Sequence, residues 1–159
     1  MSTIQDIITY CGPIKFRDIF PGDVFLFYNM YAIKLFSHPI QSDRIDAITI
    51  PFNNQAIGGK QLNILDTDVV MKVILNDGVD LLDENLYIAG EECSFNGIED
   101  GELFLTDVFP MISVKMIDKI VLNGKHQQAL SLEGKLICFD NIDYLKCHPI
   151  KEVNSKETN

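Results

Sequence analysis

The sequence predicts a mainly β protein with short helices, an α+β chain built as two related β-rich units in tandem. Two observations predict this fold class: one sequence pattern occurs twice along the 159 residues, and short runs of β-branched and aromatic residues alternate with turn residues. The predicted first unit spans residues 1–75, and the second, diverged copy spans residues 76–150. Residues 151–159 are expected to form a disordered polar tail.

The repeat is clearest in an entry segment that occurs twice, with every matched position displaced by the same distance along the chain. The first copy reads Phe16-x-x-Ile19-x-x-Gly22-Asp23-Val24-Phe25-Leu26, and the second reads Phe95-x-x-Ile98-x-x-Gly101-Glu102-Leu103-Phe104-Leu105. Three later segments match in the same order: residues 30–35 with 111–116, 47–50 with 129–132, and 64–70 with 138–145. Matches in one consistent order favour an internal duplication.

Each unit is predicted to open with a short helix. In the first unit Ser2 and Gln5 have capping-box spacing, and Gly12-Pro13 would end the helix. The apolar positions with helical spacing are Ile4, Ile7, Ile8 and Cys11. In the second unit the corresponding positions are Leu82, Leu86 and Ala89.

Strands are predicted for most of the remainder of each unit. In the first unit the apolar runs at residues 24–27, 31–35, 47–50 and 68–73 are bounded by Gly, Pro, Asn and Asp. In the second unit Asn123-Gly124 is typical of a type I′ hairpin turn, and Glu133-Gly134 is a second candidate turn.

The first unit resembles a small β-barrel domain of phage-encoded accessory proteins. The residues that carry the resemblance are Phe16-x-Asp18-Ile19-x-Pro21-Gly22-Asp23-Val24-Phe25, Tyr31-x-Ile33-Lys34, Ala47-Ile48-x-Ile50 and Asp66-x-Asp68-Val69. The resemblance covers residues 16–73 and, more loosely, residues 95–150, where Glu102-Leu103 replaces Asp-Val and Ile112 replaces the tyrosine. It implies two tandem small barrels of the SH3-like kind in a bacteriophage protein. The motif glycine, phenylalanines and lysine are structural residue types, so the resemblance transfers no active site.

Charge is segregated along the chain. The formal net charge is −10, and residues 76–110 alone hold ten acidic residues and no basic residue. The segments before and after carry −1 and +1 by the same count. A protein charged in this way is repelled by nucleic-acid backbones and by anionic lipid, so direct binding to nucleic acid or membrane is not expected.

The compartment is predicted from the N-terminus, the apolar runs and the cysteines. The first residues, Met1-Ser-Thr-Ile-Gln-Asp, lack the charged and apolar regions of a secretory signal, and no apolar run approaches about 18 residues. Cys11, Cys93, Cys138 and Cys147 form no C-x-x-C pair, which favours free thiols in a reducing compartment. We expect a cytoplasmic protein, in the host cytoplasm if the chain is phage-encoded.

The sequence offers no constellation for catalysis, so we predict that the protein is not an enzyme and needs neither metal nor cofactor. Neither G-x-x-x-x-G-K-[ST] nor G-x-G-x-x-G occurs, and the three histidines leave little scope for acid–base chemistry. The acidic run from Asp77 to Glu84 has Gly78 in the wrong place for a calcium loop.

The leading functional hypothesis is an acidic face that binds, and inhibits, a host or anti-phage defence protein with a basic surface. Long-range attraction of this kind raises association rates and weakens with salt. The candidate partner-binding residues are Asp80, Asp83, Glu84, Glu91, Glu92, Glu99 and Asp100. A solvated acidic helix and loop that only improves solubility is the plainer alternative.

Two further hypotheses belong to other functional classes. The protein could bind a small molecule or nucleotide in a cleft between the two units, with Lys34, Lys115, Arg44 and Lys60 as anion contacts. Alternatively, it could be a structural component of a virion. Exposed strand edges would allow a homodimer in each case.

Overall fold

The chain folds into two antiparallel sheets. The computed structural model describes residues 3–36, 45–53, 55, 58–76, 81, 83–108, 111–122 and 124–153. The prediction of a mainly β protein is confirmed: helix α1 (Ile4–Ile7) is a single turn, and the other helical segments are short 3₁₀ turns. In this described part of the chain no helix is long and apolar enough to cross a membrane.

The first sheet holds the strands of the N-terminal half in the order β1-β6-β2-β3-β4-β5. These strands are β1 (Ile8–Lys15), β2 (Val24–Phe27), β3 (Met30–Lys34), β4 (Ala47–Thr49), β5 (Gln61–Leu62) and β6 (Val69–Leu75). All four strand segments predicted for the first unit are therefore confirmed, with ends that differ by at most two residues.

The second sheet has the order β12-β11-β10-β9-β13-β7, and β8 also pairs with β13. Its strands are β7 (Tyr87–Ala89), β8 (Cys93–Ser94), β9 (Leu103–Thr106), β10 (Ser113–Leu122), β11 (Lys125–Ser131), β12 (Leu136–Ile137) and β13 (Lys146–Glu152). The two predicted turns lie where expected: Leu122 pairs with Lys125, and Leu130 pairs with Leu136. Asn123 itself is outside the described residues.

The strand orders of the two sheets are the same when β1–β6 are matched with β7, β9, β10, β11, β12 and β13. In the first sheet Leu26 pairs with Met71, and in the second Leu105 pairs with His148. The closing strands β6 and β13 therefore correspond with Met71 matched to His148, and both show the same alternation of buried and exposed positions. The sequence match that placed Val70 with Leu145 is wrong by two positions, because a loop of different length precedes each closing strand.

One apolar core lies between the sheets and takes side chains from both. Alternation along a strand sends every second residue to the same face. On the inner face of the first sheet the central row consists of Val24, Ile33 and Ile48. On the second sheet the equivalent row consists of Leu103, Val114 and Leu130.

Each sheet also has its own smaller core on its outer face. Phe16, Phe25 and Ala32 belong to the outer core of the first sheet, and Phe95 and Phe104 belong to that of the second. The 3₁₀ turns Phe16–Asp18 and Phe95–Gly97 supply the covering phenylalanines. The sheets are therefore apolar on both faces, and the repeated Phe-x-x-Ile segment closes the outer one.

Two glycine contacts join the sheets at the backbone. Phe36 N donates to Gly134 O at 3.2 Å, and Ile117 N donates to Gly59 O at 3.0 Å. A Cβ on Gly59 would lie 2.5 Å from Lys115 O, and one on Gly134 would lie 2.8 Å from Lys34 O. Only glycine allows this approach, and both residues also have positive φ (+79° and +94°).

The predicted opening helix of the first unit is confirmed only over Ile4–Ile7, and its predicted continuation to Cys11 is wrong. Residues Ile8–Lys15 form β1, which pairs with β6 from Ile8↔Leu75 to Lys15↔Val69. Cys11 therefore lies on an exposed strand, and Gly12-Pro13 lies in a bulge of it instead of ending a helix. The four-residue helix is capped through Asp6, whose carboxylate accepts bonds from Thr3 N and Oγ1; Ser2 of the predicted Ser2–Gln5 pair is outside the described residues. Long-range strand pairing outweighs the local helical spacing here, because a helix of one or two turns is unstable alone.

In the second unit, too, a strand forms where the sequence predicted part of an opening helix. A 3₁₀ turn over Glu84–Leu86 leads directly into β7, which pairs with β13 at Ala89↔Ile150; Leu82 is outside the described residues. At the other end, β13 continues to Glu152 and Val153 is buried; residues 154–159 of the expected tail are outside the described residues.

Replacing a contact glycine should destabilise the protein more than replacing an open one. Gly124 has φ +77° and no atom within 4 Å of a Cβ position, so Gly124→Ala tests the backbone conformation alone. We expect Gly124→Ala to cost about 1 kcal/mol of unfolding free energy. Gly59→Ala should cost about 3 kcal/mol, because the methyl group also meets the backbone of β10. Urea unfolding measures both, and equal losses would show that the glycine contact does not hold the sheets.

Candidate functional site

The repeated lysines fasten the outer covering segments to the sheets. Lys34 Nζ donates to Phe16 O at 2.9 Å and to Ile19 O at 2.8 Å, and it lies 4.4 Å from the centre of the Phe16 ring. Lys115 Nζ makes the equivalent bonds to Phe95 O at 3.1 Å and Ile98 O at 2.8 Å, 4.5 Å from the Phe95 ring centre. Burial lowers the pKa of Lys34. Phe16 O and Phe95 O also accept from Ile19 N and Ile98 N, so each ammonium group adds a second bond there and reaches the next carbonyl, Ile19 O or Ile98 O.

Two of the four predicted anion contacts, Lys34 and Lys115, bind separate covering segments. Lys34 belongs to the outer side of the first sheet and Lys115 to the outer side of the second, with the shared core between them. Lys60 is exposed beside Gly59, and Arg44 is outside the described residues. Among the described residues, apolar side chains of both sheets pack together in the region where this hypothesis placed the cleft.

Four of the seven residues predicted to form the acidic face are exposed, and they lie in two separate segments of the second sheet. Glu91 and Glu92 lie between β7 and β8, which form the outer edge of the second sheet, and Glu99 and Asp100 lie in the turn before β9. Asp83 is half-buried and accepts a hydrogen bond from Asn85 N at 2.9 Å, as a turn residue does. Glu84 begins a 3₁₀ turn, and Asp80 is outside the described residues.

The turn before β9 concentrates negative charge. We name Glu99, Asp100 and Glu102 the acidic turn. Asp100 forms an ion pair with Lys115 at 3.7 Å. Burial raises the pKa of the Glu102 carboxyl. The charge of Glu99 and a hydrogen bond between the two carboxyl groups raise this pKa further, whereas Lys151 lowers it. Asp100 thus has a lysine partner, whereas Glu102 and Glu99 face each other.

The equivalent turn in the first sheet is built differently. In the aligned repeat, Phe20 stands in place of Glu99 and Asp23 in place of Glu102. Asp23 Oδ2 lies 3.3 Å from Lys72 Nζ. In the second sheet the position of Lys72 is taken by an uncharged proline, because β6 and β13 correspond in the register described above. The same backbone turn is thus charge-balanced in one half and acidic in the other.

A cavity of about 340 Å³ opens beside the acidic turn, on the second sheet. It exists because residues 116–119 of β10 stand opposite Gln128 alone, between the pairs Lys115↔Ala129 and Ile120↔Gln127. The cavity is lined by Phe95, Asp100, Lys115, Met116, Ile117, His126, Gln127 and Gln128. Gln128 Oε1 accepts a hydrogen bond from Phe139 N at 2.7 Å, which fixes its amide at the wall. The lining combines hydrogen-bonding side chains with an apolar floor, as ligand pockets do.

A polar cluster also joins the first sheet to β13. The Tyr10 and Tyr31 hydroxyls form a hydrogen bond, and Asn53 Nδ2 donates to the Tyr31 hydroxyl at 3.0 Å. Asn53 N donates to Glu152 Oε1 at 3.0 Å. Burial and the hydrogen bond with Tyr31 raise the pKa of Tyr10 to about 12, so this hydroxyl stays protonated at neutral pH. The cluster clamps the two sheets together.

The sequence interpretation missed His126, Gln127 and Gln128 as site residues. Their signal is weak but present: four consecutive polar side chains, Lys125 to Gln128, follow the Asn123-Gly124 turn in a segment that otherwise has the pattern of a strand. Within the described residues no three His, Cys, Asp or Glu side chains converge as metal ligands. Comparison of the chain with protein-family models, curated proteins and solved structures gives no match.

Removing the ammonium group of Lys34 should destabilise the fold. Lys34→Met keeps the apolar stem but removes the ammonium bonds to Phe16 O and Ile19 O, and each charge-assisted bond is worth about 1.5 kcal/mol or more. We expect a loss of about 3 kcal/mol in unfolding free energy, measured by urea denaturation. Lys60→Met is the control, since Lys60 is exposed, and should change stability by less than about 0.5 kcal/mol. Equal effects of the two changes would contradict the structural role of Lys34.

Proposed function

We propose that this protein is a non-catalytic accessory protein that binds a basic surface on another protein through the acidic side of its second sheet. If the chain is phage-encoded, as the sequence resemblance implies, the partner is a host or defence protein, and binding inhibits it. The observation that carries the proposal is the exposure of four carboxylates within the stretch 76–110, which holds no basic residue: Glu91, Glu92, Glu99 and Asp100.

The position of these residues supports a role in association. Glu91 and Glu92 interrupt the edge of the second sheet between β7 and β8, where the first sheet has the longer strand β1. Charged residues at an edge discourage pairing with other strands. They also present carboxylates to a partner without obstruction by a neighbouring strand. A basic surface would be attracted to this edge and to the acidic turn from a distance of about a Debye length.

The proposal includes an origin by duplication. The equal strand orders, the two equivalent lysines and the paired glycine contacts support two diverged copies of one small unit, each of the SH3-like barrel kind that the resemblance implies. On this basis one copy supplies mainly stability, and the second has acquired the acidic residues. The lack of a catalytic role rests on the sequence, in which no nucleophile, base and orienting group occur in a recognisable pattern.

A tagged pull-down from bacterial lysate tests the proposal. Wild-type protein should retain one host complex at about 50 mM salt and release it at about 500 mM, because screening weakens a charge-guided interaction. The variant Glu91→Lys/Glu92→Lys should lose that complex. Asp140→Lys/Asp143→Lys is the matched control: it changes the net charge by the same amount at two exposed residues outside the acidic stretch, and it should retain the complex.

The outcomes separate the competing interpretations. Equal capture by both variants, or capture that does not respond to salt, would overturn binding through the acidic side. Recovery of the protein alone, as one large oligomer on size-exclusion chromatography, would favour the virion role instead.

We propose as second candidate function the binding of a small polar molecule, such as a nucleotide, in the cavity of the second sheet. The observation in its favour is that Lys115, one of the predicted anion contacts, lines this cavity with His126 and Gln128. The site differs from the cleft between units that the sequence suggested, since its lining comes from the second sheet and its covering segment alone.

Thermal melting against a nucleotide panel tests this candidate. A ligand at about 100 times its Kd stabilises the folded state by about 2.7 kcal/mol, which should raise the melting temperature by several degrees. His126→Ala should abolish the shift, whereas His148→Ala, on β13 and away from the cavity, should leave it unchanged. Flat melting temperatures across the panel would contradict a nucleotide site.

A further inference from the structure

Two of the four cysteines meet at one position of the second sheet. Cys93 on β8 and Cys147 on β13 are direct partners across an antiparallel pair of strands. Direct partners have Cα atoms about 4.5 to 5.5 Å apart, which lies within the range that a disulfide spans. Both cysteines are free thiols in this structure.

The two side chains also share one face of the sheet. Cys147 is fully buried in the outer core of the second sheet, and Cys93 packs against that same core. The equivalent cross-strand pair in the first sheet is Ile14 with Val70, an ordinary apolar contact. The second sheet therefore has thiols at both members of a pair where the first sheet has only hydrocarbon. A small apolar residue would fill either position, so packing does not by itself require two sulfur atoms.

We propose that Cys93 and Cys147 are a redox-active dithiol that closes into a cross-strand disulfide when a low-molecular-weight disulfide, such as oxidised glutathione, reacts with the protein. The reaction takes two electrons from the two thiols. It converts one molecule of oxidised glutathione into two of reduced glutathione.

The structure sets the order of the two steps. Cys93 is partly exposed, whereas Cys147 is buried, and its Sγ lies 4.0 Å from Leu145 O. The Cys93 thiolate attacks oxidised glutathione first, forms a mixed disulfide and releases one glutathione thiolate. The Cys147 thiol then loses its proton and attacks the Cys93 sulfur, and the second glutathione thiolate leaves.

The second step is the slower one at neutral pH. Burial, with the neighbouring Cys93, raises the pKa of Cys147 to about 11, so little of it is thiolate at neutral pH. Closure should therefore be faster at pH 9 than at pH 7. The product would tie β8 to β13 and so fix the segment that carries Glu91 and Glu92 against the sheet.

Peptide mapping of the oxidised full-length chain tests the proposal. Cleavage after lysine places Cys11 in residues 1–15, Cys93 in 73–115, Cys138 in 136–146 and Cys147 in 147–151. After treatment with oxidised glutathione at pH 9, peptide 73–115 should be joined to peptide 147–151, and reductant should separate them. The melting temperature of the oxidised protein should rise by about 5 °C or more, because the bond restricts the unfolded chain.

Two variants keep the test independent of changes in folding. Cys147→Val introduces the residue that the first sheet has at the same position, Val70, and should leave glutathione attached at Cys93. Cys11→Ser removes an exposed thiol and should leave the disulfide unchanged. A persistent mixed disulfide in the wild-type protein at pH 9, a link from Cys93 to Cys11 or Cys138, or an unreacted Cys93 would each overturn the proposal.

Discussion

The packing of one sheet's inner face on the other is the interaction on which the rest of the structure depends. Each sheet is apolar on both faces, and its outer face is closed by its own Phe-x-x-Ile segment. The inner rows, centred on Ile33 and Val114, have no such covering and bury each other. Short β-rich units of this size have little core of their own, so sharing one core is what makes two of them stable together. The glycine contacts follow, because the sheets can approach only where the backbone carries no Cβ.

Within this common frame the two halves differ in chemistry at equivalent positions. The turn before β2 has Phe20 and a paired Asp23, whereas the turn before β9 has Glu99 and a carboxyl pair. The cross-strand pair of Ile14 and Val70 is matched by two cysteines. The lysines and the covering phenylalanines are the same in both halves. This is expected, because these residues hold the fold together. Functional residues are therefore best sought at the positions where the halves differ. The acidic turn and the thiol pair at these positions both belong to the second sheet.

The candidate site could be predicted only in part. The acidic stretch was evident from the sequence, because charge is counted without knowing the fold. The sequence did not show that these acidic residues divide into a pair at the sheet edge, a turn before β9 and a half-buried Asp83. Burial depends on which strands pair, and this is known only from the structure. The cavity beside Lys115 was not predictable either, because it arises from a mismatch in register between β10 and β11. Register between distant strands leaves no local sequence signal.

The sequence by itself determined that the protein is mainly β, where its central strands run, and that one entry segment occurs twice. Alternating apolar residues, turn glycines and a fixed offset are local patterns, and they survive in any tertiary arrangement. Only the tertiary structure decided that the segments starting at Ile8 and Tyr87 are strands, because their helical spacing is outweighed by pairing with β6 and β13. It also decided that the two halves share a core and that Cys93 meets Cys147. These contacts join residues far apart along the chain, and their energy exists only once the sheets have formed.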